Sequence, residues 1–312
     1  MILLVKSGGE ETVPRWRAEF LAADPRLDVR WWDDPSVRPG EVRYVVVWDP
    51  EPGRLAALPN LRVVFSSAAG VDNILRDPDW PAHLPLVRMG GEEQAQRMAE
   101  FVTWACLGLL RGARLMAANQ EASRWKQFAA RHTAGERRVG ILGLGNLGRA
   151  AAAMLRGVSF PVAGWSRSRK VVEGVESFAG AGELDAFLAR TDILVCLLPA
   201  TPETAGLIDA ALLAKLPRGA QLVNVGRGGH LVEADLLAAL DGGHLAGALL
   251  DVFPEEPLPD SSPFWWHPKV TVTPHVASLP SLGSRARFVA AAIAAHERGA
   301  PLPNLYDPAR GY

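Results

Sequence analysis

Cysteine is scarce: two in 312 residues, Cys106 and Cys196, too few for a disulfide framework. Each sits in an apolar run without a neighbouring His or Lys to activate it, and reads as a small buried hydrophobe rather than a redox thiol. A reducing compartment, the cytoplasm, is expected. Long hydrophobic runs are also missing. The longest, Phe101 to Leu110, ends at Arg111, well short of the ~20 residues that span a bilayer. The start, Met1-Ile-Leu-Leu-Val-Lys6, lacks the basic opening and longer apolar stretch of a signal peptide and reads as a first strand. No membrane association is expected. Net charge is only −1, so no global field would recruit nucleic acid or an anionic surface. Apart from His275, the histidines are scattered without metal-ligand spacing, and no metal is expected. Internal repeats and low-complexity tracts are absent.

What is present is an ordinary globular balance, 48% hydrophobic and 21% charged, on a chain long enough for two domains. Strand-like and helix-like segments alternate, the signature of parallel sheets covered by helices. Met1–Val5, Tyr44–Trp48 and Val63–Ser66 are β-rich runs. Gln94–Asn119 gives one long helical pattern, read as leaving one lobe and entering another. From Arg138 the alternation becomes regular. Strands are expected at Arg138–Leu142, Pro161–Ser166, Asp192–Leu197, Ala220–Val225, Ala246–Asp251 and Val270–Thr273. Helices are expected at Gly145–Arg156, Leu184–Arg190, Ala210–Leu216, Glu233–Asp241 and Ser281–Arg298.

The strand from Arg138 runs directly into Gly143-Leu-Gly145-Asn146-Leu147-Gly148. A G-x-G-x-x-G alone is often only a turn, but here it lies between a strand and an Ala-rich helix. Gly143 permits the tight turn, Gly145 lets the backbone approach a pyrophosphate, and Gly148 lets the helix pack on the strand. The helix N-terminus then faces the phosphate charge. Eighteen positions past Gly148 stands Ser166, where a site for NAD usually carries an acid. It is followed by Arg167-Ser168-Arg169-Lys170. A carboxylate there would repel a 2′-phosphate, whereas Arg grips it bidentately. NADP(H) is therefore preferred, with NAD(H) possible; the competing reading is a solvated basic loop.

Three later segments each place one ionisable group near the carboxyl end of a strand: Val223-Asn-Val-Gly-Arg227, Asp251-Val-Phe-Pro-Glu-Glu256-Pro and Thr273-Pro-His275. Ligands of open α/β sheets bind outside those ends, so the three can reach one crevice. Singly, each reads as readily as a surface cation, a loop acid or a satisfied loop histidine. Their register with a cofactor motif gives them joint weight. Together with Gly70-Val-Asp-Asn and Pro199-Ala-Thr-Pro-Glu-Thr204, they make the chain resemble the D-isomer-specific 2-hydroxyacid dehydrogenases over nearly its whole length. Met89-Gly-Gly-Glu-Glu-Gln, Trp165-Ser-Arg-Ser-Arg-Lys and Trp266-His-Pro bring it nearest the glyoxylate/hydroxypyruvate reductase A branch.

The resemblance implies two α/β lobes. Residues 98–276 would form a doubly wound Rossmann domain for the cofactor. Residues 1–97, completed by 277–312, would form a smaller flavodoxin-like lobe, with substrate in the cleft between them. It implies a homodimer using the long helix after Gln94. It adds Leu198, Pro199, Val225, Gly226 and Asp251 to the cofactor contacts, with Asp251 facing the nicotinamide carboxamide (or serving as a strand-end cap). It also assigns the backbone around Ala69, Gly70 and Val71 to the substrate carboxylate. Trp48 and Met89 are placed in the substrate pocket, and Trp125 is a residue a partner subunit would contribute.

The chemistry can be derived independently. Hydride transfer to a ketone leaves charge on its oxygen, so a proton donor must stand beside it. His275 fits that role, Glu256 is the carboxylate that favours its imidazolium, and Arg227 pairs with the substrate carboxylate and polarises the carbonyl. Glu256 rather than Glu255 is chosen because the family's Glu-Pro-Leu-Pro pattern selects it. NADPH-dependent reduction of glyoxylate to glycolate and hydroxypyruvate to glycerate is the expected activity. Other 2-hydroxy acids remain open. A formate enzyme of the family would carry Gln at position 256. A cofactor-sensing corepressor is the rival from another class, disfavoured by the intact Arg–Glu–His set and the lack of a docking motif.

Overall fold

The computed structural model describes residues 1–311. It forms two compact units, Met1–Glu93 with the segment from Leu279 onward, and Gln94–Ser278. The breaks fall at 93/94 and 278/279 rather than at the expected 97/98 and 276/277.

In the first unit five strands lie parallel: β1 (Ile2–Lys6), β2 (Asp28–Trp31), β3 (Val42–Val47), β4 (Val63–Ser66) and β5 (Leu86–Val87), in the order β2-β1-β3-β4-β5. This is the flavodoxin-type order, whose strand sequence reverses between β1 and β3. β4 is buried throughout and β3 at every residue but Arg43, as expected of a parallel sheet covered on both faces. On one face the C-terminal helix Leu282–Glu297 packs Val289, Ala290 and Ile293 into a core with Trp16 and Phe20 of the helix Val13–Ala23.

The second unit has seven parallel strands: β6 (Val139–Leu142), β7 (Val162–Ser166), β8 (Glu176–Ala179), β9 (Ile193–Cys196), β10 (Ala220–Asn224), β11 (Leu245–Leu250) and β12 (Val270–Val272). Their order is β12-β11-β10-β9-β6-β7-β8, the doubly wound Rossmann arrangement with its switch point between β6 and β9. One face is closed by Met98, Val102, Cys106, Ala151, Ala152 and Leu155, the other by Phe187, Leu188, Leu212, Leu236 and Leu240. Each fully buried Leu contributes about 2 kcal/mol to this core.

Both cysteines are fully buried; burial pushes the Cys196 thiol up to about 12 and that of Cys106 higher still. The long helix expected over Gln94–Asn119 is two helices, Glu92–Arg111 and Ala113–Glu121, bent by 68°. Gly112, at φ +69, takes the left-handed conformation that ends the first helix. No single described helix is long and apolar enough to cross a membrane. Three strands escape the sequence reading, β2, β5 and β8, all at sheet edges. An edge strand is paired on one side only and needs little apolar sequence to hold it.

Candidate active site

The turn after β6 is shaped by steric necessity. Gly143 adopts φ +104, and a Cβ there would lie 2.8 Å from the Leu197 carbonyl oxygen. At Gly148 a Cβ would fall 1.9 Å from the Gly143 oxygen, so the helix Asn146–Gly157 can start only where that hydrogen is. Gly145 differs: nothing lies within 4 Å of its would-be Cβ. Its backbone faces open space at the N-terminus of the helix, which the following Asn146 and Leu147 begin. Two of the glycines thus serve the fold and the third leaves room for a ligand. Gly148→Ala is expected to cost about 2 kcal/mol through overpacking. NADPH affinity should fall at least about tenfold alongside it. A thermal melt and a NADPH fluorescence titration check both effects.

At the tip of β7, Ser166 is buried and its hydroxyl has no hydrogen-bond partner. A buried orphan hydroxyl is uncommon and fits an absent polar ligand. Arg167 and Ser168 are exposed beside it. Arg167 also lies near enough to Glu203 for its charge to help lower that carboxyl, though hydrogen bonding from Thr201 is the larger cause. Arg169 is turned away to pair with Glu183 and the Ser177 carbonyl. Of the cations read together in the sequence, Arg167 is the one standing exposed next to Ser166. The Ser166 hydroxyl, the exposed guanidinium and the lack of a carboxylate from 166 to 170 suit a phosphorylated ribose.

β9 and β10 end side by side, carrying Leu198 and Pro199 on one and Val225, Gly226 and Arg227 on the other. Leu198, Val225 and Gly226 are buried; Pro199 and Arg227 are half-buried. The Arg227 backbone is held on both sides. Its N–H donates to His230 Nδ1 at 3.0 Å, and its carbonyl accepts from Asn224 Nδ2 at 3.1 Å. Its Nη1 donates to the Gly226 carbonyl at 2.8 Å. This loop packs hard against the one after β11: a Cβ at Gly228 would lie 1.8 Å from the Phe253 carbonyl carbon.

That neighbouring loop carries Glu256. One carboxylate oxygen accepts the Phe253 N–H at 2.9 Å, and the other meets His275 Nδ1 at 2.7 Å. The two side chains are 35% and 36% exposed, so the pair is reachable by a substrate. Burial works to raise the Glu256 carboxyl, but the His275 and Phe253 hydrogen bonds and the Arg227 charge outweigh it and hold it below the usual range. The pair is thus set up with an ionised carboxylate on Nδ1 and Nε2 left for other partners. Arg227, Glu256 and His275 are brought together within one unit.

His275 itself sits at φ +51, a left-handed conformation that costs a β-carbon residue about 1 kcal/mol. Asp251 holds it there. Buried at 1% exposure, Asp251 accepts Thr273 Oγ1 at 2.7 Å and the N–H groups of Val276 and Ala277 at 3.0 and 2.9 Å, while its carbonyl takes the His275 N–H at 2.9 Å. Burial raises the Asp251 carboxyl, partly offset by these bonds. Asp251 therefore organises the His275 loop, a more specific task than a strand-end cap.

In the first unit, Trp48 follows β3, the loop Ala69-Gly70-Val71 follows β4, and Met89 follows β5. Ser66 Oγ donates to the Gly70 carbonyl at 2.7 Å and accepts the Ala68 N–H at 3.2 Å, which shapes that loop. Trp48, Ala69 and Gly70 are half-buried and Val71 is buried. Met89, expected to line a pocket, is 3% exposed and belongs to the core with Val87 and Phe65. Trp125 is 93% exposed. No cluster of His, Cys, Asp or Glu able to hold a metal ion occurs among the described residues.

The sequence reading passed over Asn224, Thr273 and His230, which fix the loops carrying the ionisable groups. A signal existed for two of them: Asn224, Arg227 and His230 recur at three-residue spacing, the separation at which a side chain caps a neighbouring backbone N–H.

Comparison with known proteins agrees with this geometry. Residues 103–277 match the D-isomer specific 2-hydroxyacid dehydrogenase NAD binding domain. A D-isomer specific 2-hydroxyacid dehydrogenase of Xanthobacter autotrophicus Py2, solved with NADPH and MES, is 43% identical with a TM-score of 0.93, covering 100% of this chain and 99% of that one. The NADPH-dependent glyoxylate/hydroxypyruvate reductase of Sinorhizobium meliloti, solved with NADP and sulfate, is 42% identical with a TM-score of 0.91 over 100% and 99% of the two chains. A probable 2-hydroxyacid dehydrogenase of Rhizobium etli CFN 42, solved with NADP, HEPES and L(+)-tartaric acid, is 40% identical with a TM-score of 0.91 and the same coverage. With its Rossmann sheet, its glycine turn and its Arg, Glu and His side chains gathered in one unit, the chain belongs to the D-isomer specific 2-hydroxyacid dehydrogenase family.

Proposed function

We propose that this chain reduces small 2-oxo acids, glyoxylate and hydroxypyruvate foremost, with NADPH. The observation that carries the reading is the 2.7 Å hydrogen bond between His275 Nδ1 and Glu256, with Arg227 close enough to influence the same carboxylate.

The nicotinamide supplies the hydride. Oxygen of the substrate carbonyl then needs a proton, and His275 delivers it from Nε2, the ring nitrogen not engaged by Glu256. Ionised Glu256 engages Nδ1 and fixes the ring's orientation. Arg227 binds the substrate carboxylate through its guanidinium and orients the carbonyl. In the first unit, Trp48 and the backbone N–H groups of Ala69, Gly70 and Val71 are assigned to the substrate. Gly143, Gly145, Asn146, Leu147 and Gly148 would hold the pyrophosphate. Ser166, Arg167 and Ser168 would hold the 2′-phosphate, and Leu198, Pro199, Val225, Gly226 and Asp251 the rest of the cofactor. The chain works as a homodimer in this reading, with the long helix Glu92–Arg111 and Trp125 facing the second copy.

Loss of nicotinamide absorbance with glyoxylate, hydroxypyruvate and pyruvate, run with both cofactors, tests the proposal. NADPH binding without turnover of any of the three would overturn it. Arg167→Ala should weaken NADPH by about 10- to 100-fold, the size of a lost charged hydrogen bond, and leave NADH nearly unchanged. Equal losses for both cofactors would remove Arg167 from the 2′-phosphate.

A further inference from the structure

His230 is 1% exposed, and no step of the proposed reaction uses it. Its ring is fully defined by what surrounds it. The Arg227 backbone N–H can only donate, so Nδ1, 3.0 Å away, must be the acceptor. The Pro199 carbonyl can only accept, so Nε2, at 3.1 Å, must carry the proton. The two contacts select one neutral tautomer. The Cys196 sulfur, 3.5 Å from Nδ1, does not compete with that assignment, because burial keeps it a thiol.

The chain is also shaped around this ring. A Cβ on Gly226 would lie 2.9 Å from His230 Nδ1 and 3.1 Å from the Leu198 carbonyl oxygen. Glycine at 226 therefore lets the imidazole sit between the ends of β9 and β10. On the far side of Arg227, buried Asn224 accepts the Gly226 N–H through Oδ1 at 3.2 Å and donates to the Arg227 carbonyl through Nδ2. Pro199 has a second anchor in Thr204 Oγ1 at 2.8 Å, and the Arg227 N–H donates to His230.

The geometry points to His230 as a positioning residue. Through Nδ1 it sets the backbone of Arg227, and so the aim of the guanidinium at the carboxylate of the 2-oxo acid. This rests on the reading of Arg227 as the carboxylate-binding group.

Two substitutions separate this role from simple packing. In His230→Asn the side-chain oxygen occupies the place of Nδ1 and keeps an acceptor for the Arg227 N–H. In His230→Gln the amide nitrogen occupies the place of Nε2 and keeps the Pro199 contact, but the acceptor that Nδ1 gave the Arg227 N–H is lost. Positioning predicts that His230→Gln raises KM for glyoxylate about tenfold, the scale of one lost buried hydrogen bond, with kcat changed less than about threefold. His230→Asn should stay within about twofold of the unsubstituted KM despite its smaller volume. A packing role predicts the reverse order, because Gln fills the site better than Asn. Wild-type KM in His230→Gln, or equal impairment of both variants, would overturn the proposal.

A readout free of folding and turnover is the tautomer itself. In the NADPH-bound, histidine-labelled protein, nitrogen NMR should show His230 unprotonated at Nδ1 and protonated at Nε2. Protonated Nδ1 would overturn the proposal. If the unsubstituted protein turns over no 2-oxo acid, the substrate reading fails by itself, and the tautomer still decides whether the ring holds Arg227.

Discussion

His275→Ala should lower kcat by about 10²- to 10⁴-fold, the range that general acid catalysis supplies, while NADPH affinity stays within about twofold. The separation is expected because the loop around position 275 is held by Asp251 acting on the Thr273 hydroxyl and the backbone N–H groups of Val276 and Ala277, not by the imidazole. His275→Asn is the better control. Asn tolerates the left-handed backbone at φ +51 and should melt no lower than the alanine variant, yet it cannot donate the proton. Steady-state rates and a fluorescence titration test both variants. Retention of wild-type turnover in either would remove His275 from the donor role. Glu256→Gln supplies the electrostatic arm. It preserves shape but replaces the ionised acceptor on His275 Nδ1 with a neutral one, so kcat should fall by about tenfold, the scale of one weakened charged hydrogen bond, with NADPH affinity unchanged.

Arg227→Gln should lower kcat/KM for glyoxylate by about two to three orders of magnitude, the ~3–4 kcal/mol lost when a charged pair is left with one partner. Arg227→Lys keeps the charge but should recover only part of this. The ammonium cannot match a carboxylate bidentately, and it cannot both reach a substrate and replace the Nη1 contact to the Gly226 carbonyl. NADPH affinity is the control, since Arg227 is assigned to substrate and not to cofactor. Full recovery in the lysine variant would mean that charge alone, without orientation, is what position 227 provides.

How much of this was legible in the chain varies by residue. The glycine turn was readable because its spacing is local: a Cβ at Gly148 would strike the Gly143 oxygen of the same turn, although the collision at Gly143 is with Leu197 at the end of β9, which only the fold supplies. Glu256 and His275 could be nominated together, but nothing in their nineteen-residue separation says that Nδ1 meets the carboxylate. Arg169 looked equivalent to Arg167 until the fold turned it toward Glu183. Met89 looked like a pocket residue by position and proved to be core. The helix after Gln94 looked continuous because isolated glycines such as Gly108 and Gly112 are tolerated within a good helical pattern; the left-handed turn at Gly112 is a tertiary choice.

By itself, the order of residues determined the alternation of strands and helices and the place of the glycine turn. Those follow from backbone sterics and hydrophobic periodicity, which act over a few residues. Only the tertiary structure decided that Asp251 holds the His275 loop and that His230 ties Arg227 to the end of β9. Such bonds join strand ends far apart in the chain, and their energy depends on burial and direction. No spacing of letters encodes either until the sheet has brought those ends together.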